Sequence, residues 1–244
     1  PVDRLLSRVD VPRFPRLDES LVESSLSACF EACVDRTPDA LAVAGARHRL
    51  SYAECNHFAN RIAHEILQRL ESRSGPHRVA VVLDHDASVV AAMFGVFKTG
   101  HACVAMDPVD PPARLQQLMH DADPVLLVTD VANRELASRL ATRPVLEVDP
   151  RWAADSVPDL KTPIDPAAPA MILYTSGSTG RPKGVVRSHR AFLAASFNAI
   201  NAFGIDQHDR LSMFSPLSTG QGVTSPSTAL VCGASVHIRS LKRE

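Results

Sequence analysis

Uninterrupted apolar runs, separated by helical stripes, constrain this chain more than any other feature. Val79-Ala80-Val81-Val82-Leu83 contains no polar residue, and residues 102–106 and 125–128 repeat the pattern. A strand that is apolar on both faces must be covered on both, the condition of a parallel sheet wrapped by helices.

The intervening segments read as those helices. Ser51 and Glu54 form a Ser-x-x-Glu capping box. Behind it Cys55, Phe58, Ala59, Ile62, Ala63, Ile66, Leu67 and Leu70 recur at three- and four-residue steps, one apolar stripe. An earlier helix is predicted over 24–36, a strand over 41–44, and a helix from about Ser88 that stops at Gly100. Asp110-Pro111 predicts an N-cap and first helical residue. Strands follow at 145–148, 171–174, 211–214 and 235–238, with helices near 188–203 and 224–232. The fold class is α/β: mostly parallel, doubly wound sheets with helices on both faces.

Composition narrows the function. The 26 lysines and arginines nearly balance 27 aspartates and glutamates, a net −1, so no electrostatic footprint for nucleic acid or an anionic membrane exists. No apolar run approaches the roughly 18 residues of a membrane span. Five cysteines without a CxxC pair support neither a disulfide framework nor a zinc knuckle, and point to a reducing compartment such as the cytoplasm. Cys29 and Cys33, four apart, read as core packing. Asp84 and Asp86 read as caps of the following helix. The chain opens on Pro1 rather than methionine and is expected to be processed or cut from a longer polypeptide.

Chemistry concentrates in Tyr174-Thr175-Ser176-Gly177-Ser178-Thr179-Gly180-Arg181-Pro182-Lys183-Gly184, which is read as a turn between a buried strand and a helix. Glycines let backbone N–H groups approach a ligand, and successive N–H groups make an anion-binding concavity. The hydroxyls add donors and Lys183 a point charge suited to phosphate. Proline precedes the lysine and glycine follows it, so this is not a Walker A loop, which would need Gly-Lys-Ser/Thr. It is not a nucleophile elbow either, since Gly-x-Ser-x-Gly does not occur.

Residues 172–186 (ILYTSGSTGRPKGVV) resemble the phosphate-loop signature of the adenylate-forming superfamily, which includes acyl-CoA synthetases and nonribosomal-peptide adenylation domains. Residues 30–43 (FEACVDRTPDALAV), 50–63 (LSYAECNHFANRIA) and 97–107 (FKTGHACVAMD) are similar to earlier motifs of that family, in the same order. The resemblance implies ATP- and Mg2+-dependent activation of a small-molecule carboxylic acid as an acyl-adenylate, with release of pyrophosphate. The acyl group would then pass to coenzyme A or to the phosphopantetheine of a carrier protein. By position, Thr175, Ser176, Gly177, Ser178, Thr179, Gly180 and Lys183 would hold the β- and γ-phosphates, with Lys183 and Thr175 as catalytic residues; no protein-bound metal site is implied.

Adenylation domains carry a Phe-Asp-x-Ser pattern whose aspartate meets the α-ammonium of an amino acid. The corresponding segment here includes Thr219, Gly220, Gln221 and Gly222, with Thr219 in place of the Phe and Gly220 in place of the Asp. A buried ammonium without its counter-charge costs several kcal/mol. The expected acid therefore lacks an ordinary α-amino group: fatty, aryl, keto or hydroxy acids are candidates.

By the same resemblance residues 1–40 pack on a second subdomain, 41–186 form a flavodoxin-like subdomain ending in the phosphate loop, and 187–244 begin the second. The family's adenine-binding motif, ribose-binding aspartate and lid lysine would lie beyond Glu244. These 244 residues are thus expected to be inactive without the rest of the polypeptide. The rival reading is a non-catalytic fragment that binds nucleotide or a partner. Ser188 is expected to cap the helix after the loop and to leave His189 facing solvent.

Overall fold

A computed structural model describes residues 19–70, 76–176 and 182–239. Two sheets organise them. The larger has the order β6-β5-β3-β4-β7-β8. It comprises β3 (Arg78–Val82), β4 (Ala102–Met106), β5 (Leu126–Asp130), β6 (Val145–Val148), β7 (Pro169–Ser176) and β8 (Pro182–Ser188). All its pairings are parallel except β7 with β8. The smaller has the order β2-β1-β10-β9, from β1 (Leu41–Ala44), β2 (Arg49–Ser51), β9 (Arg210–Met213) and β10 (Ser235–Ile238).

Period-two burial explains the doubly wound sheet. From β3, Val79 and Val81 enter one core while Ala80 and Val82 enter the other. The second core is closed by α4 (Pro112–Ala122) and α5 (Arg134–Leu140) through Leu115, Leu118, Met119, Ala122, Ala137 and Leu140. The first is closed by α1 (Leu26–Arg36), α2 (Tyr52–Arg69) and α3 (Ala87–Lys98), and continues into the smaller sheet through Val43, Val236 and Ile238. Helices α6 (His189–Phe203) and α7 (Gly220–Cys232) complete it. The Ser51–Glu54 capping box is formed, and Tyr52 beneath it donates its hydroxyl to Ala234 O at 2.7 Å.

Every residue of α3 is buried, Lys98 included. Its ammonium is held by Glu31 and by Asp159 Oδ1 at 3.0 Å, and Asn56 and Asn60 donate to the same Asp159 oxygen. Burial alone would raise the Asp159 carboxyl, but the Lys98 charge and these hydrogen bonds outweigh it and hold the group below the usual range.

Several elements depart from the sequence reading. β7 is not followed by a helix: the next described residues, 182–188, form the antiparallel strand β8. A strand that starts on proline and contains Gly184 has no alternating signal, and is tolerated because it lies at an edge. Strand β2, three residues long, also escaped the pattern. Residues 41–51 pair with each other and with β10 in the smaller sheet. Helix α4 is capped by Pro111, with ψ 137°, and starts at Pro112; the residue before a proline is held extended. Helix α7 starts at Gly220 rather than 224, because the Thr219 hydroxyl accepts the Gly222 N–H at 3.0 Å.

Two stability outcomes follow for the intact protein. Tyr52→Phe strands the Ala234 carbonyl and is expected to cost about 1–2 kcal/mol in denaturant unfolding; an unchanged midpoint would mean the bond contributes nothing. Lys98→Met leaves two half-buried carboxylates without their cation and is expected to cost about 1–3 kcal/mol near neutral pH. Because Asp159 is depressed in the native state, its contribution is present above the carboxylate range and lost as pH falls through it. The gap between wild type and Lys98→Met should therefore narrow towards about pH 3–4; a pH-independent gap would refute the ion-pair account.

Candidate functional site

The hairpin register places Tyr174 opposite Gly184, Thr175 opposite Lys183 and Ser176 opposite Pro182. Thr175 and Lys183 are thus cross-strand neighbours, both exposed, with the Thr175 hydroxyl donating to Lys183 O at 3.5 Å. Gly177, Ser178, Thr179 and Gly180 lie outside the described residues. The strands below the turn are held by Tyr174, whose hydroxyl donates to Asp121 Oδ2 on α4 at 2.7 Å. Burial, then the Asp121 hydrogen bond and charge, push that phenol up, so it remains a donor. A Cβ at position 184 would press on Ile172 Cγ2 at 3.1 Å and on the Tyr174 ring at 3.4 Å. Glycine is what lets β8 lie flat against β7 there.

Thr219, Gly220, Gln221 and Gly222 form the cap and first turn of α7. A Cβ at 222 would overlap the Pro216 carbonyl, so glycine is required for the 215–219 turn to fold under the helix. At 220 a Cβ would meet nothing within 4 Å. The position is open, and the helix N-terminus there carries partial positive charge.

These two regions sit at corresponding ends of their sheets. Thr175 and Ser176 are at the carboxyl end of β7, and residues 214–219 follow the carboxyl end of β9. His85, just past β3, links those ends by a 3.1 Å contact from Nε2 to Met213 O. It lines a small cavity with Met106, Asp107, Leu217 and Ser218, and its buried Nδ1 has no hydrogen-bond partner. A carboxyl-end crevice between sheets and loops is where open α/β folds bind ligands. Sequence reasoning passed over His85, which carries no motif; its position just after a buried strand was the available signal.

Asp86 caps α3 without a side-chain bond to that helix. Instead its carboxylate takes the Arg47 N–H at 3.2 Å and lies 2.7 Å from His48 Nδ1, while Asp84 pairs with Arg47 at 3.0 Å. Burial would raise Asp86; the His48 contact and backbone N–H donors lower it overall. The two aspartates clamp the β1–β2 hairpin to the large sheet, beyond the capping role expected of them.

His189 is also corrected: it is fully buried, not solvent-facing, although Ser188 does cap α6 through Ala191 N–H. Its Nδ1 accepts the Leu26 N–H, so the neutral ring carries its proton on Nε2. Burial pushes the imidazole down to about 4. Cys29 and Cys33 are free, buried thiols, and no cluster of three metal-ligating side chains occurs among the described residues.

A model of the AMP-binding enzyme family matches residues 30–243. Malpinin synthetase of Mortierella alpina is 32% identical over 216 residues, spanning 86% of this chain and 3% of its own length. Tyrocidine synthase 1 of Brevibacillus parabrevis is 29% identical over 218 residues, spanning 88% of this chain and 20% of its own. The chain therefore covers a small part of the curated relatives it matches. Among solved structures, the nonribosomal peptide synthetase FmoA3 in its AMPPNP-bound form aligns over 97% of this chain and 24% of that one, with TM-score 0.78 and 29% identity. VinN in complex with L-aspartate aligns over 89% and 57%, with TM-score 0.80; at 21% identity it speaks for the fold alone. The family match runs through both sheets and through the Thr175–Lys183 hairpin, and this chain belongs to the AMP-binding enzyme family.

Proposed function

We propose that this chain supplies the phosphate-holding part of an ATP-dependent ligase. That ligase activates a carboxylic acid as its acyl-adenylate and passes the acyl group to a thiol, of coenzyme A or of a carrier protein. The observation that carries the reading is the pairing of Thr175 with Lys183 at the carboxyl end of β7, inside a family match that spans most of the chain. A hydroxyl and an ammonium side by side at the mouth of a turn are suited to pyrophosphate oxygens. Charge grows on those oxygens as the acid attacks the α-phosphorus, and donors fixed beforehand stabilise it. In the same reading Ser176, Gly177, Ser178, Thr179 and Gly180 add donors for those phosphate oxygens. Mg2+, if required, would be held chiefly by the ATP phosphates and water, which suit it better than an all-protein cage, and would offset charge on the departing pyrophosphate.

The acid is proposed to lack an α-amino group. Gly220 offers no carboxylate, and the α7 N-terminus repels a cation. Asp107 is the carboxylate in the adjoining cavity, and its Oδ1 already accepts the Val109 N–H at 3.1 Å. Relatives bind amino acids: FmoA3 is solved with α-methyl-L-serine-AMP and VinN with L-aspartate. Gly220, where the resembled family pattern has aspartate, is what points to a different acid here.

In the full-length protein, Lys183→Ala is expected to lower kcat/KM in ATP–pyrophosphate exchange roughly 10- to 100-fold, the equivalent of a charge-assisted hydrogen bond of about 1.5–3 kcal/mol. Wild-type exchange by that variant would remove Lys183 from the mechanism. In an exchange panel, aryl, fatty, keto or hydroxy acids should outpace proteinogenic amino acids. Clear preference for an amino acid, abolished by Asp107→Asn, would assign the counter-charge to Asp107 instead.

A further inference from the structure

In the β7–β8 hairpin, β7 is seated in the large sheet, with Ala170, Met171 and Leu173 buried, and β8 lies on its outer side. Val185 and Val186 of β8 are 47% and 58% exposed, and Lys183 and Gly184 are exposed too. Apolar burial of β8 therefore contributes little to its placement, which rests on its pairing with β7, on the Tyr174–Asp121 bond and on the root. There Pro169 of β7 is in register with Ser188 of β8, and no loop separates β8 from α6: Ser188 ends the strand and caps the helix.

The next residue is His189. Its backbone N–H donates to Ala168 O at 3.2 Å, immediately before β7. Its side chain reaches into the core, where Nδ1 accepts the N–H of Leu26, the first residue of α1, at 3.3 Å. That N–H needs an acceptor, because the Ser25 cap is committed to Ala28. The imidazole also meets Phe97 of α3 at 72°, with centroids 5.5 Å apart. One residue thus joins both strands of the hairpin root to two helices of the core.

We propose that His189 is a positioning residue for ATP, setting the angle of the hairpin and hence the place of Thr175 and Lys183. This rests on the reading of the hairpin as the phosphate clamp. His189 is sealed from solvent and touches no reacting atom, so it acts only through the hairpin. Leverage makes the role sensitive: from Ser188 to Lys183 is about 17 Å of strand, so a root tilt of about 5° moves the lysine about 1.5 Å, and misplacements near 1 Å are costly to catalysis.

The test compares four forms of the full-length protein: wild type, His189→Phe, His189→Asn and Leu140→Ala. The Phe variant keeps the ring contact but has no acceptor. The Asn variant keeps an acceptor for Leu26. Leu140→Ala is a core control on α5, on the opposite face of the large sheet. The readouts are KM for ATP and for the acid in pyrophosphate exchange, and the rate of native-state tryptic cleavage after Lys183. His189→Phe should raise KM for ATP, and the cleavage rate, by about fivefold or more, the worth of one buried hydrogen bond, with KM for the acid unchanged. His189→Asn should recover most of both, and Leu140→Ala should leave both near wild type despite its lower melting temperature. A His189→Phe protein that only melts earlier, as Leu140→Ala does, with wild-type KM for ATP and wild-type cleavage, would overturn the proposal. Cleavage is measured without turnover, so it decides the role of His189 even if no acid supports exchange, a result that would instead overturn the functional reading.

Discussion

Helix α3, buried on every side between two sheets, is the element on which the other parts depend. It packs on α2, touches β1 of the smaller sheet and β3 and β4 of the larger, and so belongs to both layers at once. A helix in that position can carry almost no polarity, and its sequence ASVVAAMFGVFK complies until its last residue. Lys98 is tolerated because Glu31 of α1 and Asp159 of the long 149–168 connection bring carboxylates to it. The ion cluster thereby ties the 155–168 part of that connection, which has no helix or strand, to the centre of the molecule.

With α3 as the shared layer, the carboxyl ends of the two sheets are brought to one side. His85 bridges β3 to β9, and Asp84 and Asp86 hold the β1–β2 hairpin through Arg47 and His48. None of these contacts is chemistry in itself. Together they set the crevice beside which the β7–β8 hairpin and the α7 N-terminus stand. The hairpin offers charge and hydroxyls; the helix terminus offers partial positive charge and an open position at Gly220.

What the sequence makes legible about the candidate site is local. A dense run of glycine, serine and threonine ending in lysine has the composition of an anion cradle wherever it stands, and a glycine at 220 has no side chain to carry a carboxylate. The burial of His189 was not legible. A serine N-cap followed by a polar residue has the same local pattern whether the helix start faces water or the core; only the arrival of α1 and Phe97 decided it. The hairpin itself was hidden for a related reason: an edge strand of Pro-Lys-Gly-Val-Val-Arg-Ser has no period to detect.

Burial requirements written into short windows determined the elements by themselves. Two-sided apolar runs bounded by turns read as interior strands, a capping box starts a helix, and an apolar stripe at helical spacing gives it a buried face. That is why β4, buried at all five residues, falls where its residues predict. Which strands sit side by side is a matter of long-range hydrogen bonding and shared cores, and it left no local trace. β1 joins β10 across nearly two hundred residues of chain, and after β7 the next described strand, β8, runs back antiparallel beside it. Only tertiary structure decided these pairings, because every residue other than proline offers the same backbone donor and acceptor and the choice of partner comes from how the helices pack.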